Sequence, residues 1–152
     1  MEKLRQLRPL AAEIVPALTP ALSDKREWVR RLTAYQILCL EPGHAGARTI
    51  LFSAMQQGDP ATRAQAAIYY FRITGEANQV LPVLRETLAT VKDNQSQPPL
   101  NYAAELGPIA KPFIPQIQAL LTNEDWSIRQ LAGKALRRID PSALPPINEG
   151  YP

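Results

Sequence analysis

Apolar residues along this chain recur at spacings of three and four, the pattern of helices that bury one stripe, and the stretches are separated by short clusters of Asp, Asn, Gly and Pro. The pattern predicts first-of-pair (A-type) helices over residues 13–22, 45–57, 77–91 and 111–122, and second-of-pair (B-type) helices over 26–41, 60–74, 99–107 and 125–138. Ser23-Asp24, Gly58-Asp59-Pro60 and Asn123-Glu124-Asp125 carry the turn and N-cap chemistry that closes one helix and opens the next, with Pro60 suited to a first helical position.

The helix pairs are copies of one pattern. Ile14-Val15-Pro16 leads through Leu18, Leu22 and Asp24 to Val29-Arg30, then Ala34, Ile37 and Leu40. Thr49-Ile50-Leu51 leads through Asp59-Pro60 and Thr62-Arg63 to Ala67, Tyr70 and Ile73. Val80-Leu81-Pro82 leads to Ala103, Ala104 and Leu106, and Phe113-Ile114-Pro115 leads through Asp125 and Ile128-Arg129 to Ala132, Leu136 and Ile139. Positions 16, 51, 82 and 115 lie 35, 31 and 33 residues apart, a period that signals a helical array. Leu7-Arg8-Pro9-Leu10 parallels Leu106-Gly107-Pro108-Ile109, so residues 1–12 are expected to form a lone B-type half-repeat.

Asp24 with Val29-Arg30, Asp59 with Thr62-Arg63 and Asp125 with Ile128-Arg129 make the chain resemble the HEAT and HEAT-like (armadillo-like) family over about residues 1–140. The resemblance implies an all-α fold: an α/α superhelix, or solenoid, of about four helix pairs in one domain. Its half-repeat would cover 1–12 and its repeats 13–43, 44–76, 77–110 and 111–140, with a Pro-rich tail at 141–152. It further implies that Asp24, Arg30, Asp59, Arg63, Asp125 and Arg129 form a structural ladder of hydrogen bonds along the stack. The third unit departs from the motif: its turn over 91–99 is long and polar, and Leu100 stands near where the arginine belongs, which reads either as a tolerated insertion or as a functional loop.

Composition changes this picture little. The chain of 152 residues has 45% hydrophobic residues, 15 prolines and a formal charge of +3, with the two signs interspersed. One cysteine excludes an intrachain disulfide, no spaced ligand set or Gly-rich phosphate loop occurs, and neither metal nor cofactor is expected. Cys39 reads as core, and His44 as a helix-start or turn residue rather than its catalytic partner, so no catalytic residue is assigned and no enzyme activity is expected. Met1-Glu2-Lys3-Leu4-Arg5 has mixed charge in place of a leader's apolar run, and no stretch approaches the ~18 apolar residues of a membrane span. Taken as complete, the chain reads as cytoplasmic, although a leader lost from a longer protein would leave no trace.

Function is sought on the B-type helices. Counted at ~100° per residue from the motif arginine, the face opposite the core holds Arg31, Tyr35 and Leu38 in the first unit, and Ala64, Ile68 and Phe71 in the second. In the fourth it holds Gln130, Lys134 and Arg137. The family resemblance implies that B helices line the concave side, so Arg31, Tyr35, Leu38, Ile68, Phe71, Lys134 and Arg137 are the candidate partner-binding residues of a scaffold that takes a protein helix or peptide. The opposing reading is that curvature, the N-terminal helix or the tail covers these side chains within the chain. A second function class is nucleic-acid binding through a basic stripe of Arg31, Arg63, Arg72, Lys134, Arg137 and Arg138; no residue set of a HEAT-like DNA-repair glycosylase maps onto the chain.

Overall fold

A computed structural model describes residues 6–91 and 98–144, and every regular element among them is helical. Residues 1–5 of the expected half-repeat, the turn at 92–97 and the tail from 145 onward lie outside the described residues. The chain divides into two compact units, Met1–Val83 and Leu84–Pro152.

In the first unit, α1 (Ala11–Leu18) continues into a 3-10 segment, Thr19–Ser23, and is followed by α2 (Glu27–Leu40), α3 (Ala45–Gln57) and α4 (Pro60–Thr74). The core gathers Val15, Ala34, Ile37, Leu38, Leu40, Ala47 and Leu51, with Ile14, Leu18, Leu22, Tyr69 and Ile73 packed against it. The helix starts are set by local chemistry. His44 Nδ1 accepts the Ala47 amide at 3.2 Å, and Asp59 Oδ1 accepts the Ala61 and Thr62 amides with Pro60 in the first turn. Gly75, at φ +72°, ends α4 in the left-handed conformation that glycine adopts without a Cβ penalty. Helix α5 (Val80–Leu88) follows.

The second unit contains α6 (Pro98–Leu106), a 3-10 segment over Gly107–Phe113, α7 (Ile114–Ala119) and α8 (Trp126–Ile139). Helix α8 packs on α6, α7 and the 3-10 segments, and its Ile128, Ala132, Ala135, Leu136 and Ile139 are buried with Leu100, Phe113 and Ile117. Asp125 caps α8 through the Ser127 amide at 2.8 Å.

The B-type helices occupy the stretches expected of them, but the A-type elements at 13–22 and 111–122 are not continuous α-helices. The first is α1 plus a 3-10 segment, and the last is α7 flanked by 3-10 segments. Pro16, Pro20, Pro112 and Pro115 remove amide donors in these stretches, and short 3-10 turns tolerate that loss better than an extended i to i−4 ladder. The parallel between Leu7–Leu10 and Leu106–Ile109 has a structural counterpart: each leads through a proline-bearing 3-10 segment into an α-helix.

Candidate functional site

The turns that open α2 and α8 are built alike. Asp24 Oδ1 accepts the Arg26 amide at 2.8 Å, and Asn123 Oδ1 accepts the Asp125 amide at 2.9 Å. Arg30 Nη1 donates to the carbonyls of Asp24 and Lys25 at 2.8 and 3.2 Å, and Arg129 Nη1 to those of Asn123 and Glu124 at 2.7 and 2.9 Å. One guanidinium thus binds two carbonyls of the turn before its own helix and locks the angle of entry, with charge-assisted hydrogen bonds that are stronger than neutral ones.

At Arg30 and Arg129 these contacts differ from the expected ladder. Arg30 and Arg129 act within their own turns rather than on an Asp of a neighbouring repeat, and Asp24 pairs with Arg26, Oδ2 to Nη2, at 2.9 Å. Asp59 serves its own helix start, Arg63 Nε donates to the Met55 carbonyl at 3.0 Å, and Asp125 caps α8. The side-chain and backbone hydrogen bonds from Arg26 hold the Asp24 carboxyl at about 2, below its ordinary 3.8. Hydrogen bonds from the Thr62 hydroxyl and amide lower the Asp59 carboxyl, and Arg31 adds to the effect from across the α2–α4 contact.

The expected solvent-facing stripe on α2 and α4 is also corrected. Ile68 is 0% exposed, Leu38 3%, and Tyr35 and Arg31 are buried; Phe71 is half-buried. Assigning one buried stripe assumes one packed side, but α2 contacts α1, α3 and α4, so most of its circumference is covered. Tyr35 stacks on Tyr69 with ring centroids 4.2 Å apart, and the Arg72 guanidinium lies 5.8 Å from the centre of the Tyr69 ring. Burial, with Cys39 beside it, raises the Tyr35 hydroxyl. Helix α8 keeps the single-stripe pattern, with Gln130, Lys134 and Arg137 exposed.

Arg31 is the link between helix pairs. Its Nε donates to Gln65 Oε1 on α4 at 2.8 Å, and its Nη1 lies 3.7 Å from Glu27 Oε1. It borders a cleft of about 410 Å³ with Glu27, Arg30, Thr49, Ser53 and Gln57. A shallower groove runs along Arg48, Phe52 and Gln56 and shares Thr49, Ser53 and Gln57 with the cleft.

Two residues that sequence reasoning passed over stand out by exposure: Trp28 at 56% and Trp126 at 64%, the only tryptophans in the chain. Each lies in the first turn of a B-type helix, directly after one of the two matched turns. Arg26 lies 5.5 Å from the Trp28 ring centre, and Leu32, one turn further on, is also exposed. The available signal was the rarity of tryptophan and its placement beside both Asx turns.

Cys39 is buried, and His44 Nδ1 accepts the Ala47 amide as the cap of its helix. No group of three or more His, Cys, Asp or Glu suited to a metal occurs among the described residues, and no helix among them is long and apolar enough to cross a membrane. No protein-family model, curated protein or solved structure matches this chain.

Proposed function

We propose that this chain is a HEAT-like α/α superhelix that acts as a non-catalytic scaffold and binds a partner protein or peptide. The matched turns at Arg30 and Arg129, more than ninety residues apart in sequence, support the repeat reading, because two copies of one unit reuse one way of fixing the angle of helix entry. The observation that carries the binding reading is the exposure of Trp28 and Trp126 on these rigid turns. Indoles left in water are unfavourable on a free surface and rank among the strongest anchors once a partner desolvates them. Each unit is therefore assigned its own binding surface, Trp28 with Leu32 in the first and Trp126 in the second, in place of Tyr35, Leu38 and Ile68.

The test is affinity capture from source-cell lysate, with and without nuclease, using the native chain beside Trp28→Ala and Trp126→Ala. A protein captured in both halves and reduced at least ~tenfold by either variant, the loss expected for an anchor of about 1.4 kcal/mol, supports the scaffold. Addition of the purified partner should also shift tryptophan emission to the blue. Capture of nucleic acid that nuclease abolishes overturns the reading in favour of the basic stripe.

A further inference from the structure

We infer that the cleft between α2 and α3 is a carboxylate-reading pocket, and that it binds an acidic side chain of a peptide whose neighbouring apolar residue lies along Phe52. The inference rests on the scaffold reading and names the chemistry of its ligand.

The argument begins with Arg31. Its side chain is nine-tenths buried at 10% exposure, yet only its Nε has a hydrogen-bond partner among the described residues. Glu27, the nearest carboxylate to its Nη1, sits at 3.7 Å, beyond hydrogen-bond distance, and is itself 57% exposed. No buried side-chain nitrogen or oxygen among the described residues is orphaned, so the terminal NH₂ groups meet solvent in the cleft they line. Gln65 fixes the guanidinium plane through Nε. The free edge is then a fork of parallel N–H donors, which matches a carboxylate bidentately.

Charge restricts the ligand. Glu27 borders the cleft, and Asp59 lies close enough to Arg31 for its carboxyl to be lowered by it. Two nearby carboxylates disfavour a phosphate dianion, whereas a single carboxylate can take the place that Glu27 holds loosely. On the opposite wall the Thr49 and Ser53 hydroxyls donate to the Ala45 carbonyl and to Gln57 Oε1, which leaves the Gln57 side-chain NH₂ as a neutral donor to the ligand. Those same three residues border the groove of about 370 Å³ along Phe52, whose ring is 41% exposed and braced edge-on by Tyr70 at 6.5 Å. A free small acid would use only the cleft. A peptide, with an apolar side chain beside the acidic one, uses both.

The experiment is an amide and arginine-Nε NMR titration of the full chain with an N-acetylated, C-amidated Leu-Glu-Leu tripeptide, its Leu-Gln-Leu counterpart, and inorganic phosphate. The Glu peptide should perturb Arg31 Nε–H, Ser53 and Gln57 with a Kd on the order of 1 mM, and the Gln peptide should bind ~tenfold more weakly. Glu27→Gln, which removes the competing carboxylate, should tighten the Glu peptide severalfold. Ser53→Glu, at an exposed position on α3, should abolish the response without loss of helix content.

Equal response to both peptides, a stronger response to phosphate, or indifference to Ser53→Glu overturns the pocket. Failure here leaves Trp28 and Trp126 variants still able to abolish partner capture. Failure of the scaffold reading instead removes partner capture while the peptide titration stands.

Discussion

Replacing Ile68 with alanine distinguishes a packed α4 from a groove-lining one. The side chain has no exposed surface, so the substitution removes three buried carbons at about 0.8 kcal/mol each and leaves a cavity that α2 and α4 close only in part. Alanine recovers a few tenths of a kcal/mol through its higher helix propensity. The net loss is about 3 kcal/mol, which for a unit of this size corresponds to a fall in Tm of ~15 °C. Urea unfolding followed by far-UV circular dichroism is the assay, with an unchanged m-value as the check that the unfolding reaction is the same. Trp28→Ala is the exposed control and should stay within about 0.5 kcal/mol of the native chain. A loss below about 1 kcal/mol for Ile68→Ala would mean that this face of α4 meets water, and it would restore Ile68 to the partner-binding surface.

Gly58→Ala drives a Cβ into the Thr62 side chain and places it 3.1 Å from the Ala54 carbonyl oxygen, and should cost about 1–3 kcal/mol in the same urea assay; a neutral result would show that the α3–α4 turn yields freely. Arg30→Met and Arg129→Met each remove a guanidinium shared by two carbonyls and should destabilise by similar amounts, about 1.5–3 kcal/mol, whereas widely different losses would contradict the equivalence of the two turns. Because the Asp24 carboxyl is depressed in the folded chain, its contribution to stability is complete above 3.8 and disappears as pH falls through about 2. A carboxyl-carbon NMR titration of Asp24 should therefore give a midpoint near 2, and a midpoint at 3.8 would refute the pairing with Arg26.

Much of the local structure was legible because its causes lie within a few residues. Asp59 followed by Pro60 caps α4 through amides two and three positions on, and the Asn123-Glu124-Asp125 turn orders α8 in the same way. His44, by sequence a helix-start or exposed turn residue, serves as the cap of α3. The change from α to 3-10 in the A-type stretches, around Pro20 and Pro112, was also written in the sequence, but the apolar period continues through those prolines and obscured it. The Asp–Arg pairs showed which residues order the turns, not which atoms they bind, because a guanidinium six residues from a carbonyl reaches it only if the turn folds back.

The sequence by itself determined that the described residues are helical, where the B-type helices start to within a residue, and that Asp59 and Asp125 cap α4 and α8, since these follow from hydrogen bonds and periodicity confined to one or two turns. Only the tertiary structure decided which faces are covered. Tyr35 meets Tyr69, and Arg31 meets Gln65, across 34 residues of chain. Whether α2 is packed on one side or on several depends on neighbours that its own sequence does not encode. For the same reason Ile68 proved to be core and Trp28 surface: burial is a property of how many elements surround a helix, and a periodic pattern records only that at least one of them does.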